Sequence, residues 1–165
     1  MKILSSAAVA AALLFATPAF AGGHTTWKSV QDESAIAFGS VKKDIIGEVH
    51  HFNTVEGVVK ENGDMTISID LASIETNIDI RNERMAQHVF QEGKATATIT
   101  GTIDMDEVNS MKAGETKIVD VDVTLAFAGD ENDIYAEMLV ARLSEDRVLV
   151  STADFIMVST EDLGI

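Results

Sequence analysis

From Trp27 onward, apolar and polar positions alternate along the chain with a period of two. Met65, Ile67, Ile69 and Leu71 alternate with Thr66, Ser68 and Asp70; Ala95, Ala97, Ile99, Gly101 and Ile103 alternate with threonines; Val119, Val121, Val123, Leu125 and Phe127 alternate with Asp120, Asp122, Thr124 and Ala126. Such alternation marks strands with one buried and one wet face, as in antiparallel sheet. Shorter runs around Trp27, 36–41, 49–59, 134–140 and 148–150 extend the series. Turn-forming clusters separate them at 32–34, 61–64, 113–114 and 129–133. About eight closely spaced strands predict a sandwich or a barrel. One segment breaks the period: over 80–90, Met85 and Val89 stand four apart among charges, and Gly93 follows. This predicts one short helix between the fourth and fifth strands.

The first residues follow a different pattern. Met1-Lys2 brings one positive charge, 3–15 is almost wholly apolar, Thr17-Pro18 breaks a helix, and Ala19-Phe20-Ala21 has the small-x-small form of a cleavage site. This predicts a signal peptide over 1–21 and one mature domain over 22–165, outside the cytoplasm, in the periplasm of a Gram-negative cell. The apolar run is short of the roughly 20 residues a spanning helix needs, so no integral membrane segment is expected. The domain's 144 residues can enclose one core. Without cysteine, thiol chemistry, iron–sulfur clusters and thiolate zinc sites are excluded. Twenty-seven acidic residues against 12 basic ones give a net charge of −15, which disfavours nucleic acid and anionic membrane surfaces as partners.

In a barrel all apolar faces share one lumen. The alternation places Phe38, Val49, Phe52, Ile67, Ile69, Leu71, Ile99, Val121, Val123, Leu125, Met138 and Val140 there. Aromatics are only 5% of the chain, and its small inward residues are compatible with either a tunnel or a packed core. Catalytic signatures are missing: there is no nucleophile elbow, phosphate loop or His-Glu-x-x-His. His50 and His51 fall on opposite faces of a strand and do not converge on one metal ion. No cofactor is called for. Arg81, Arg84 and His88, with Asn77 just before them, give the proposed helix a cationic face. That face either pairs with Glu75, Asp79, Glu83 or Glu92, or forms a basic lip at the barrel mouth for an anionic or carbonyl head group.

Several stretches resemble, in order, the YceI-like polyisoprenoid-binding family. They are Trp27 with 34–38; Gly47-Glu48-Val49-His50-His51-Phe52, where Val49 replaces an aromatic; 69–77 followed by Arg81-Asn82-Glu83-Arg84-Met85 and Val89-Phe90; the strand over 98–103; and Ala153-Asp154-Phe155. Asn82 stands where the family usually has Asp, and Gly93-Lys94-Ala95 where it often has Pro. The resemblance implies a lipocalin-like antiparallel barrel around a long isoprenoid, a polyprenyl phosphate or ubiquinone-like molecule, held for transport or storage without catalysis. It also implies a further closing strand beyond Asp154-Phe155, so the edge beside Trp27 is expected to lack a partner. A periplasmic enzyme acting on a small apolar or sugar substrate, and a stress-related structural protein with a filled barrel, are the competing classes; a homodimer stays open.

Overall fold

The computed structural model describes residues 6–16, 26–42, 46–88, 90 and 95–159. Twelve strands form a single sheet that closes on itself, every neighbouring pair antiparallel. They are β1 (Ser6–Ala16), β2 (Trp27–Ser29), β3 (Ala35–Lys42), β4 (Ile46–Phe52), β5 (Val55–Val59), β6 (Asp64–Asp70), β7 (Ile74–Glu75), β8 (Thr96–Thr102), β9 (Thr116–Phe127), β10 (Asp130–Ser144), β11 (Arg147–Thr152) and β12 (Ile156–Ser159). Four pairs, β2/β3, β4/β5, β6/β7 and β11/β12, are single staves broken by a kink, so the barrel has eight staves. Helix α1 (Asp79–His88) follows the fourth stave, as the break in period predicts.

Local chemistry sets these breaks. Asp70 accepts a hydrogen bond from Ala72 N at 3.0 Å, which tightens the turn Leu71–Ser73 and swings Leu71 into the core. The β9–β10 hairpin closes through Ala128 (φ 57°) and Gly129 (φ 97°), the two-residue turn whose twist matches its strands. A second helix, α2 (Met105–Ser110), was not anticipated. Asp104 caps it by accepting from Asp106 N and Glu107 N, and Val108 is buried. Six residues are too few to display a helical period.

In the full chain the edge beside Trp27 is covered by strand β1. Trp27 pairs with Val59 on one side, and the neighbouring Lys28 pairs with Ala16 of β1 on the other. Strand β1 is the apolar run read above as a leader. It pairs with β2 and β3 along one edge and with β11 and β12 along the other. Period two needs apolar residues only at alternate positions, and a wholly apolar run satisfies that in either register. Leu13 and Phe15 line the lumen, 2% and 4% exposed, while Ala12 before them is exposed and Leu14 between them is buried outside the cavity wall.

Candidate functional site

The two ends of the lumen differ. At the α1 end it is filled with aromatics. Phe38 stacks on Phe52 with ring centroids 5.2 Å apart, Phe52 meets Phe90 edge-on at 6.5 Å, and His50 packs edge-on to Phe38 at 5.3 Å. Free space lies toward the middle and the α2 end, as a cavity of about 110 Å³. Its wall draws on β1, β2, β3, β5, β6, β8, β9, β10, β11, β12 and α2, and Thr152 carries the one hydroxyl in it.

Of the residues expected in the lumen, Ile67, Ile99, Val121, Val123, Met138 and Val140 line this cavity. Phe52, Ile69 and Leu71 are buried in the core beside it, and Phe38 and Leu125 pack against that core. Val49 is a correction: it is 70% exposed on the outer face. Phe52, His50 and Glu48 share one parity of β4, so Val49 and Phe52 cannot both point inward, and His50, 7% exposed, takes the inward place. Leu13, Phe15 and Trp27 also form the wall, as do Met105 and Val108 of α2, which stopper one end.

The expected basic lip is present only in part. Arg81, Arg84 and His88 line a shallow open groove on α1 together with Ile78, Ile80 and Met85. Arg81 is ion-paired with Glu48 at 3.2 Å, both side chains about one-third exposed, while Arg84 and His88 are exposed. This groove shares no lining residue with the cavity. Asn77 stands apart from the groove: it turns the chain into α1 at φ 60°, its N–H donating to Glu75 Oε1 at 2.5 Å. Asn82 completes a latch, accepting from Thr76 N (2.9 Å) and Thr76 Oγ1 (2.6 Å) and donating to Glu75 Oε1 (3.0 Å). That hydrogen bond is the main reason the Glu75 carboxyl lies below its usual range. The motif 75–82 therefore fastens the helix to the barrel.

His50 sits beside Glu48, whose carboxylate lies 4.0 Å from its Nε2, and its Nδ1 is buried without a partner. Burial pushes its pKa below the ordinary value, an effect opposed by Glu48 and reinforced by Arg81 and His51. Among the described residues no three His, Cys, Asp or Glu side chains gather as for a metal ion, and no helix is long and apolar enough to cross a membrane.

At the α2 end two cations share the inward parity: Lys117, opposite Val140 and held by Glu107 of α2 at 3.3 Å, and Arg142. Arg142 continues the inward parity of Met138 and Val140, opposite Val148, and its guanidinium lies 5.1 Å from the centroid of the Trp27 ring. The alternation of β10 carries straight through Ala136, Met138 and Val140 to Arg142, and that continuation is the signal in the sequence that could have found it.

A family model described as a YceI-like domain matches residues 27–162. Among solved structures, the chain is similar to a polyisoprenoid binding domain from Saccharophagus degradans implicated in plant cell wall breakdown, with a TM-score of 0.70 and 24% identity over 96% of this chain and 80% of that one. That likeness is one of fold. No curated protein matches the chain. Strand β1 lies outside the family match and yet supplies a stave of the barrel.

Proposed function

The chain belongs to the YceI-like family, and from that premise we propose that it is an exported binding protein that holds a long isoprenoid in its lumen, for transport or storage. One observation carries this reading: a closed barrel surrounds a cavity whose wall is apolar apart from the Thr152 hydroxyl and the Trp27 indole. Such a wall offers an isoprenoid tail about 0.8 kcal/mol per buried CH₂ and gives a reacting group nothing to converge on. The solved domain of the same fold, described as polyisoprenoid binding, supports the choice of tail.

Export bears on the room available. About 110 Å³ is well under the 300–1,000 Å³ of ordinary ligand sites. Cleavage after Ala21 removes β1, and with it the Ala11, Leu13 and Phe15 side chains that narrow the cavity. In this reading the precursor is closed and the processed periplasmic form is the one that loads.

The test is native mass spectrometry of the protein purified from the cell envelope, with solvent extraction of whatever it carries. An isoprenoid in the extract is expected. A protein that leaves the envelope empty, or carrying only straight-chain acyl lipids, overturns the reading.

A further inference from the structure

Resting on that binding reading, we propose that the lumen has its polar end at Trp27 and Arg142, and that this pair takes the oxygen-bearing head of the ligand, an acceptor group such as a phosphate or a quinone carbonyl. The pair is placed for it. Trp27 is 4% exposed, lines the cavity, and has a buried Nε1–H without a partner. Arg142 lies over its ring, donates from Nη2 to the Glu145 carbonyl, and keeps Nη1 buried and unpartnered. Indole and guanidinium are donors only, so the group that completes them must be an acceptor. A buried donor left without a partner is rare enough to ask for one.

Charge singles out the same place. In a chain of net charge −15, Arg81 is held by Glu48, Arg147 by Glu33 and Lys117 by Glu107, yet among the described residues Arg142 makes no ion pair and meets the Asp146 carboxylate only at longer range. The nearby Asp146 carboxylate accepts instead from Ser144 Oγ at 2.5 Å. The groove on α1 is the weaker candidate. Arg81 there is already neutralised, Arg84 and His88 stand in water, and the groove shares no lining residue with the cavity. A tail in the cavity reaches Trp27 directly.

Trp27 is the chain's one tryptophan, so its emission reports on this site alone. Envelope-purified protein, stripped of lipid, is titrated with three probes that share a tail: tetraprenyl phosphate, a tetraprenyl quinone and a headless tetraprenyl hydrocarbon. The two headed probes are expected to perturb Trp27 emission, the quinone by quenching it. Arg142→Gln is expected to weaken tetraprenyl phosphate by about tenfold or more, as loss of a charge-assisted hydrogen bond does. Hydrocarbon binding should hold in that variant, which also shows that it folds. Arg84→Gln should change none of the three. An Arg142→Gln loss confined to the phosphate identifies an anionic head, and an equal loss for the quinone identifies a carbonyl. Equal losses for the hydrocarbon, no loss at all, or a loss that follows Arg84→Gln overturns the assignment while tail binding stands. A wild-type protein that takes none of the probes overturns the binding reading together with this one.

Discussion

The ring of Phe15 lies against the backbone at Gly57, so close that a Cβ there would stand 2.8 Å from Phe15 Cε1 and 3.0 Å from Cζ. Gly57 N donates to Ser29 Oγ at 2.7 Å, which holds the strand in place beneath the ring. Gly57→Ala in the full chain should therefore force a buried ring aside and cost about 1–3 kcal/mol, as overpacking does. In a chain cleaved after Ala21 the ring would be gone, and the nearest remaining contact, Ser29 Cβ at 3.5 Å, is ordinary. There the same change should stabilise by about 0.5 kcal/mol, because it restricts the unfolded chain. Urea unfolding of both forms checks the reversal. A loss of the same size in each would mean that Phe15 does not occupy this seat.

Cavity wall and core should respond differently. Val121 borders free space, so Val121→Phe should fill it at a cost of no more than about 1–3 kcal/mol. Retention of an isoprenoid tail should nevertheless fall sharply. Ile69 is 5% exposed and lies outside the cavity wall, so Ile69→Ala should cost about 2–5 kcal/mol and leave the folded fraction able to bind. Thermal unfolding and tail retention, measured on both variants, separate the two roles. Equal loss of retention in both would place the lumen elsewhere.

Much of the barrel is written in the alternation, because a closed sheet has one inside and parity along a strand decides which residues face it. Ile67, Ile99, Val121, Val123, Met138 and Val140 follow from that rule alone. Val49 does not, because positions 49 and 52 have opposite parity on one strand, and the inward parity belongs to His50 and Phe52. Parity is silent about long-range pairing, so nothing local announced that an apolar run before residue 17 fits between β3 and β11. Charge patterning pointed to Arg81 and Arg84 since they lie close in sequence on one helix. Arg142 is isolated in sequence and becomes notable only when the fold lays it over Trp27.

His50 gives the fold a pH dependence. Its pKa is lowered by burial from an unfolded value of 6.5, so below that value the unfolded chain binds the proton more readily. Stability should be level above about pH 6.5 and fall on acidification until the lowered folded pKa is passed. The carboxylates held low, Glu75 and Asp146, act in a separate window further into acid. His50→Phe, which keeps a ring beside Phe38, should flatten the first decline and leave the second. If the decline below pH 6.5 persists unchanged, another group is its source.

Asn82 stands where the family usually has Asp, and its neighbour gives a reason. Its side-chain oxygen serves Thr76, which a carboxylate would do equally well, but its Nδ2 donates to Glu75 Oε1. Asn82→Asp would keep the first contact and set two carboxylates against each other in the second. The folded-state pKa of that pair should rise above its unfolded value, so the penalty exists when both groups are ionised and is relieved as pH falls through the raised value. The variant should therefore melt lower than wild type near neutral pH, with the gap narrowing toward about pH 4. Adding Glu75→Gln should close most of the gap at neutral pH, since the new amide can donate where Asn82 once did. A gap independent of pH, or one that Glu75→Gln leaves untouched, would show that the latch to α1 rests on Thr76 alone.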